Sequence, residues 1–330
     1  MKKTVKIIMI MALIAAMLTG CGMKEEPKGN SSVGNESKIK IGIIQPVEHP
    51  SLNQIREQII IGLEEQGLKD MIEITYKDAQ GDPSNINTII SQFIGDKMDI
   101  IIPIGTGAAQ SSAAATKDIK IIFAAVSYPK EAGLVMNVNK PEANVTGVSD
   151  AIDVKQIFDL AFELTQDVKT FGFIYNNGEP NSASAINKAK EYCDAKGIKY
   201  VEATITNSSE LLQASQSVIE KVDAIFTPTD NTVASAMPVL SAEAQKAGIP
   251  VYTGADSMVV DGGFATVGVN YTILGRQVAA MVKNVIDGKS ISEIPVETLS
   301  QYTTIINTTT ADKIGVSLSE EQLKEFETVK

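Results

Sequence analysis

The amino-acid sequence predicts an α/β fold of two lobes, each built around a doubly wound parallel sheet. Short apolar segments alternate with amphipathic helical patterns, which is typical of parallel strands joined by right-handed crossovers. About four such units lie on each side of residue 148. The chain has 330 residues, and two sheets of about four or five strands suit this length better than one sheet of about ten.

Two patterns of apolar residues predict the individual strands and helices. Short continuous apolar runs predict buried strands, at 40–44, 72–76, 99–104, 120–126, 170–175, 199–205, 224–228, 250–253 and 264–269. Apolar residues three and four positions apart, as in Leu52, Ile55 and Ile59, predict helices, at 52–67, 86–94, 108–117, 154–164, 182–196, 210–220, 233–247 and 274–288. Residues 300–307 alternate threonine and isoleucine before a polar tail.

The composition excludes several classes of protein. One histidine and two cysteines are too few for a Cys/His zinc site, a haem ligand pair or an iron–sulfur cluster, so we expect no metal and no cofactor. His49 is the only imidazole and would have to be the base of any Ser-His-Asp or Cys-His mechanism, so we do not expect an enzyme. The net charge of −11 argues against nucleic acid as a partner.

Residues 1–20 are predicted to be a lipoprotein signal peptide. Lys2, Lys3 and Lys6 precede an apolar run of 11 residues, which is too short to span a bilayer but typical of a secretory signal. Residues 18–21 (LTGC) resemble the bacterial lipobox, in which the cysteine, here Cys21, is acylated and becomes the new N-terminus. The alternative is a plain secretory signal with a chance cysteine.

Residues 21–37 are then the lipidated Cys21 and a flexible polar tether, which would anchor the chain to the outer face of the cell membrane. Removal of residues 1–20 leaves 26 basic against 40 acidic residues, a net charge of −14. Cys193 is then the only free thiol, and its helical spacing from Ile186 and Ala189 predicts a buried structural side chain. The scarcity of arginine suggests an AT-rich genome, as in many Gram-positive bacteria.

The loops at the carboxyl ends of the predicted strands are polar and small. Ligands of open parallel sheets bind at this edge. The loops are residues 45–50, 78–82, 105–108, 127–129, 176–182, 207–209, 229–232 and 254–257. Thr106, Ser182 and Thr232 lie at or near predicted helix N-termini, where unpaired N–H groups and the helix dipole can bind a carboxylate.

Charged and aromatic residues in the same loops would complete a site for an amino acid. Asp230 or Asp256 would neutralise an ammonium group, and Glu179 is a third candidate. Tyr128 and Tyr175 would face an apolar or aromatic side chain. Each residue alone has a structural explanation as a helix cap, a turn former or packing, but their concentration at one edge indicates a function. No nucleotide-binding, GxSxG or HExxH motif is present.

Several stretches of residues 40–316 carry a resemblance to a known family. They include IGIIQPVEHPSLNQIREQ, AQGDPSNINTIISQFIGDKMDIIIPIGTGAAQSS, NVTGVSD, IYNNGEPNS, KVDAIFTPTDNTVASA and VNYTILGRQVAAMVKNVIDGK. The sequence resembles the ABC-transporter substrate-binding lipoproteins of the tryptophan/tyrosine-binding type. One departure is Asn270, because the family often has an aspartate before the tyrosine at this point.

The resemblance implies a periplasmic-binding-protein-like fold with three crossovers between the lobes, near Ser149, at 260–264 and at 295–298. Lobe 1 would comprise residues 38–148 and 264–296, and lobe 2 residues 149–263 and 297–330. The resemblance also implies that a monomer holds an amino acid, expected to be tyrosine, tryptophan or phenylalanine, in the cleft between the lobes. The ligand would be delivered to ABC permease subunits in the membrane.

The positions of the family motifs and the loop analysis together define the expected ligand-binding residues. Those of the first lobe are Gln45, Thr106, Gly107, Ser127 and Tyr128. Those of the second lobe are Tyr175, Asn176, Glu179, Asn181, Ser182, Asp230, Asn231, Thr232 and Asp256.

Other functions stay open on sequence alone. A surface lipoprotein of this fold could act as an adhesin or a sensory receptor, and adhesion by cells carrying a cleft-mutated protein would separate these functions. An enzyme on the same scaffold would need a nucleophile and a base that these loops do not supply. Another small zwitterion or a nucleoside could replace the aromatic amino acid.

Overall fold

The computed structural model describes residues 38–330. The predictions of a signal peptide, of lipidation at Cys21 and of a tether therefore lie outside the described residues. Within the described range, no helix is long and apolar enough to cross a membrane. The chain forms two α/β lobes, each with its own sheet, which confirms the predicted fold class.

Lobe 1 contains a six-stranded sheet in the order β11-β5-β4-β3-β1-β2, in which every neighbouring pair is parallel. Its strands are β1 (Ile39–Gln45), β2 (Ile72–Asp78), β3 (Ile100–Pro103), β4 (Lys120–Ala124), β5 (Val145–Ser149) and β11 (Glu297–Thr298). Its helices are α1 (Pro50–Glu65), α2 (Pro83–Gly95), α3 (Thr106–Ala115) and α10 (Tyr271–Ile286).

Lobe 2 contains a seven-stranded sheet in the order β13-β12-β10-β9-β8-β6-β7. Its strands are β6 (Thr170–Asn176), β7 (Lys199–Ile205), β8 (Ala224–Thr227), β9 (Val251–Thr253), β10 (Ala265–Val269), β12 (Tyr302–Asn307) and β13 (Glu327–Val329). Its helices are α4 (Val154–Leu164), α5 (Pro180–Lys196), α6 (Leu211–Ile219), α7 (Asn231–Ala234), α8 (Met237–Ala247), α9 (Asp256–Val260), α11 (Thr308–Ile314) and α12 (Glu320–Glu325). Only the β10–β12 pair is antiparallel among the strand pairs of the described chain.

The chain crosses between the lobes at residues 150–153, at Asn270 and at 299–301, so the three predicted boundaries are wrong. The first is wrong by one residue, because Ser149 was expected in lobe 2 but ends β5 of lobe 1. The segment 264–269 was expected in lobe 1, but β10 pairs with β9 and β12 of lobe 2. Residues 297 and 298 were expected in lobe 2, but they pair with Val148 and Ser149 of lobe 1. Strand pairing decides both positions, and the local sequence does not encode the partner.

Helix α10 is held in lobe 1 by close packing against α1. A Cβ added at Gly275 would lie 2.8 Å from the carbonyl oxygen of Ile55, and one added at Gly62 would lie 2.7 Å from the Cβ of Ala279. Only glycine permits so short a distance between the two helices. Asn270 caps α10 by accepting a hydrogen bond from the Ile273 N–H, a role that needs an oxygen but no negative charge.

The core of lobe 2 is rich in aromatic residues. The ring of Phe158 lies between 4.6 and 6.3 Å from those of Phe171, Phe173, Phe226 and Tyr192, measured between centroids. Such tilted and edge-on pairs add to the stability gained from burial.

Cys193 lies in this same core, fully buried, as its helical spacing predicted. Burial raises the pKa of its thiol to about 12. The thiol is therefore protonated at neutral pH and acts as a small hydrophobic side chain.

Candidate functional site

The carboxyl ends of the strands of both sheets face each other across an interlobe cleft. The deepest part of this cleft, the inner cavity, has a volume of about 20 Å³, which is room for one water molecule. It is lined by His49, Ser51, Leu52, Thr106, Ala125, Ser127, Asp150, Asn181, Thr229, Asp230, Asn231, Ala234, Ala255, Met258 and Tyr271.

A second space, the outer cavity, has a volume of about 390 Å³ and shares Thr106, Asn181 and Asn231 with the inner cavity. Its wall combines apolar residues with polar ones. The apolar residues are Pro46, Val47, Pro83, Ile86 and Pro180, and the polar ones include Gln110, Ser111, Asn176, Glu179 and Thr232. This size falls within the range of small-molecule sites.

The N-terminus of α3 points at both cavities. Gly105 precedes the helix with φ of +86°, a conformation that glycine adopts without strain, and it provides no side-chain cap. Thr106 is buried, lines both cavities, and its Oγ1 has no hydrogen-bond partner. The N–H groups of the first turn lack intrahelical partners by geometry. This end of α3 can therefore accept an anionic group such as a carboxylate.

The carboxylate of Glu179 organises the loop before α7 and is already saturated. It accepts hydrogen bonds from the N–H of Asn231 at 3.0 Å, from Asn231 Nδ2 at 2.6 Å, and from the N–H and Oγ1 of Thr232 at 2.9 and 2.8 Å. These bonds stabilise the charge and fix the loop. They give Glu179 a positioning role rather than that of the third ammonium candidate.

The predicted ammonium partner Asp230 is buried at the end of β8. Its Oδ1 accepts from the Val233 N–H at 2.8 Å, and its Oδ2 from the Asn176 N–H at 2.7 Å. Burial and the neighbouring charge of Glu179 raise the pKa of Asp230. Its two oxygens thus hold α7 and the end of β6 in place, and the side chain also lines the inner cavity.

His49 is neutral in the cleft and its hydrogen-bonding direction is fixed. Its Nε2 lies 3.2 Å from Asn231 Oδ1, while Asn231 Nδ2 donates to Glu179. The amide oxygen can only accept, so Nε2 of His49 is the donor and Nδ1 carries a lone pair. Nδ1 is buried and has no partner. Burial lowers the pKa of His49 to about 4.

Asp150 and His49 are cavity residues that the predicted site residues did not include. Asp150 is 4 % exposed and accepts a hydrogen bond from Ser127 Oγ at 2.8 Å. Burial raises the pKa of its carboxyl. The motif NVTGVSD ends on Asp150, which was the only sequence signal that could have pointed to it.

The structure brings most of the predicted residues to the cleft. Those that line the inner or outer cavity are Thr106, Gly107, Ser127, Asn176, Glu179, Asn181, Asp230, Asn231 and Thr232. Tyr128 lines a small adjoining space with Thr106 and Asn181. Its ring lies 4.2 Å from Lys188 Nζ, so a cation already covers one of its faces.

Four predicted residues do not line either cavity. Tyr175 packs in the core of lobe 2 and donates its hydroxyl to Glu202 at 2.9 Å. Gln45 is buried and donates to the Val47 carbonyl, which shapes the loop after β1. Ser182 lies beneath the cavities, fully buried, and Asp256 accepts from the N–H of its own neighbour in α9.

Polar contacts between the lobes hold the cleft closed. They join His49 to Asn231, Ser51 to Ser257, Ser127 to Thr229 and Glu131 to Lys188. The last of these is an ion pair of 2.9 Å.

No lysine or arginine lines the two cavities, and no three His, Cys, Asp or Glu residues between 38 and 330 are placed to hold a metal ion. Buried carboxylates and a helix N-terminus line the same space and favour ligand groups of opposite charge. This arrangement suits a small ligand with both an ammonium and a carboxylate group.

The chain is similar to proteins of known ligand. It is 37 % identical to the tyrosine-binding protein of Clostridioides difficile, over 98 % of this chain and 95 % of that protein. A Streptococcus pneumonia domain solved in complex with L-Trp superimposes with a TM-score of 0.85 at 36 % identity, covering 89 % of this chain and all of that one.

A substrate-binding protein with adhesive properties from Clostridium difficile, solved ligand-free and open, gives a TM-score of 0.67 at 38 % identity, over 88 % of this chain and 99 % of that one. At nearly equal identity, the structure superimposes better on the tryptophan-bound relative than on the ligand-free, open one.

The family described as ABC transporter substrate binding protein matches residues 40–330. The chain therefore belongs to this family of extracytoplasmic binding proteins, which are not enzymes.

Proposed function

We propose that this protein binds an aromatic amino acid, namely tyrosine, tryptophan or phenylalanine, in the interlobe cleft and delivers it to the permease of an ABC importer. The observation that carries the proposal is that one cavity is lined by the N-terminus of α3, with the unpartnered hydroxyl of Thr106, and by the buried carboxylates of Asp150 and Asp230. Tyrosine and tryptophan are also the ligands named for two similar proteins.

In this proposal, a different part of the ligand lies in each of the two cavities. The ammonium and carboxylate groups of the amino acid enter the inner cavity, which must widen from its volume of about 20 Å³ by movement of the lobes, and the ring occupies the outer cavity beside Pro46, Ile86 and Pro180. Thr106 and Asn231 border both cavities and mark the passage between them. Micromolar binding requires about 8 kcal/mol, which charge-assisted hydrogen bonds and burial of one ring supply.

The test is a thermal-shift screen of residues 22–330 against the twenty amino acids. We expect tyrosine, tryptophan or phenylalanine, at about 100 times its Kd, to raise Tm by roughly 5 °C, because binding to the native state alone stabilises it by about 2.7 kcal/mol. Alanine serves as the control, since it has the same charged groups and no ring. The proposal is wrong if none of the twenty amino acids shifts Tm.

The lipid anchor is a separate proposal that rests on the sequence of residues 1–21. We expect wild-type protein to sediment with membranes of a bacterial host, because an acylated Cys21 carries hydrocarbon chains into the bilayer. The Cys21→Ser variant should be recovered in the soluble or secreted fraction. Equal membrane association of the two proteins would exclude an anchor at this cysteine.

An adhesive role is the alternative suggested by the Clostridium difficile relative. Every helix and strand of residues 38–330 belongs to one of the two lobes, so this range contains no separate adhesion module. Adhesion would have to use the lobe surfaces. Cells carrying a cleft variant that no longer binds amino acids would then adhere as well as wild type.

A further inference from the structure

Asp150 belongs to both the hinge and the inner cavity. It is the first residue after β5, in the first segment that crosses between the lobes, and it lines the inner cavity. Its Oδ2 lies 3.4 Å from the hydroxyl of Tyr271, which follows the second crossing. Tyr302, which follows the third crossing, donates its hydroxyl to the carbonyl of the adjacent Ala151 at 3.0 Å.

The hydrogen bonds of Asp150 still allow its carboxylate to bind a cation. Its side-chain partners are the hydroxyls of Ser127, at 2.8 Å, and Tyr271, and hydroxyl groups can rotate to other acceptors. No lysine or arginine contacts it in the part of the chain that the structure describes. A buried carboxylate without a positive partner is costly, and burial raises its pKa.

Two other acidic residues near the cleft, Asp230 and Glu179, use their carboxylate oxygens in hydrogen bonds within the fold. Both oxygens of Asp230 accept rigid backbone N–H groups, and Glu179 accepts four hydrogen bonds from Asn231 and Thr232. Asp256 lines neither cavity. Thr106 Oγ1 and His49 Nδ1 belong to residues that line the inner cavity and are buried without partners, which points to a polar ligand in this space.

We propose that Asp150, and not Asp230 or Asp256, binds the ammonium group of the ligand and links it to the hinge. This assignment rests on the proposed amino-acid ligand. The ammonium pairs with the carboxylate of Asp150, which also contacts Ser127 and, at the start of α10, Tyr271, both in lobe 1. Asp150 lies in the first segment that crosses between the lobes, so occupation of the cavity acts directly on this part of the hinge.

The test compares two ligands on two proteins by titration calorimetry. The ligands are tyrosine and 3-(4-hydroxyphenyl)propionate, which is tyrosine without its amino group. Wild type should prefer tyrosine by roughly 100-fold, because the analogue leaves the buried carboxylate unpaired. Asp150→Asn should bind tyrosine roughly 100-fold more weakly and the analogue about as well as wild type does, so that the preference disappears. Asp256→Asn is the matched control and should keep the wild-type preference.

A second measurement separates ligand binding from a purely structural role. Without ligand, Asp150→Asn should unfold at the same temperature as wild type or higher, because the amide keeps the shape and loses the buried charge. A variant that fails to fold, or that retains the preference for tyrosine, overturns the assignment. If wild type binds tyrosine but Asp150→Asn keeps the preference for tyrosine, the assignment fails and the proposed function stands. If wild type binds no aromatic amino acid, the proposed function and this assignment both fail.

Discussion

Replacement of Thr106 by valine should lower the affinity for tyrosine by roughly 10- to 150-fold and leave the free energy of unfolding of the ligand-free protein unchanged or higher. The Thr106 hydroxyl is buried without a partner, so valine, which has the same shape, removes an unsatisfied group. In the complex, that hydroxyl would donate to the ligand carboxylate, an interaction of about 1.5–3 kcal/mol. Calorimetric titration and chemical denaturation measure the two effects.

The opposite signs of these effects distinguish a binding residue from a structural one. Thr106→Ser is the control, because it keeps the hydroxyl and should bind tyrosine within a few-fold of wild type. If Thr106→Val binds as tightly as wild type, the ligand carboxylate does not lie at the N-terminus of α3. If it lowers stability, the hydroxyl has a role in the fold that the structure does not show.

Gly254→Ala should reduce the free energy of unfolding by about 3 kcal/mol or more and abolish amino-acid binding. A Cβ at this position would lie 2.3 Å from the Thr229 nitrogen and 2.5 Å from the carbonyl carbon of Pro228. Both atoms are backbone, so neither a rotamer change nor a flexible side chain can relieve the overlap. The loop that carries Asp230 and Asn231 must therefore move, and this loop forms one wall of the cleft.

A glycine with open surroundings provides the matched comparison. Gly95, the last residue of α2, has no neighbouring atom within 4 Å of an added Cβ. Gly95→Ala should leave binding unchanged and alter the free energy of unfolding by less than about 1 kcal/mol, in the stabilising direction. Urea denaturation of the three proteins, with tyrosine titrations on each, measures the effects. Equal stability of Gly254→Ala and wild type would contradict the close approach of the two loops.

The sequence was sufficient for the fold class because the signals are local. Apolar runs such as residues 99–104 identify buried strands, and the spacing of Leu52, Ile55 and Ile59 identifies α1. Strand β5 was missed because Thr146 and Gly147 lie in a sequence that looks like a turn. Gly147 is in fact a strand residue, and an added Cβ would lie 2.1 Å from the carbonyl oxygen of Phe123.

The sequence could predict only those residues of the site that follow the carboxyl ends of strands. Thr106 and Asp230 were placed correctly at the cleft because helix caps follow strands at the carboxyl edge of a sheet. Tyr175 was misplaced because the local sequence does not show where a strand ends, and β6 continues one residue beyond Tyr175, to Asn176. It shares a sheet face with Phe171 and Phe173 and packs with them in the core.

Asp150 was overlooked for a related reason. A hinge aspartate looks like an ordinary turn residue until the positions of Ser127 and Tyr271 are known, and Tyr271 lies 121 positions away along the chain. Its burial is a property of the assembled lobes. Neither composition nor periodicity contains this information.

The close contact of α1 and α10 constrains the order in which the protein can fold. Arg276 donates to Gln58 across 218 positions of the chain, so lobe 1 joins an early segment to a late one. Lobe 2 has its strands β6 to β10 on one continuous stretch and can form its main sheet earlier. Contacts between distant segments form slowly. Lobe 1 needs α10 and β11, and lobe 2 needs β12 and β13 to complete its sheet, so both lobes depend on residues after 270. The ligand site, which needs both lobes, therefore exists only once the C-terminal part of the chain is in place.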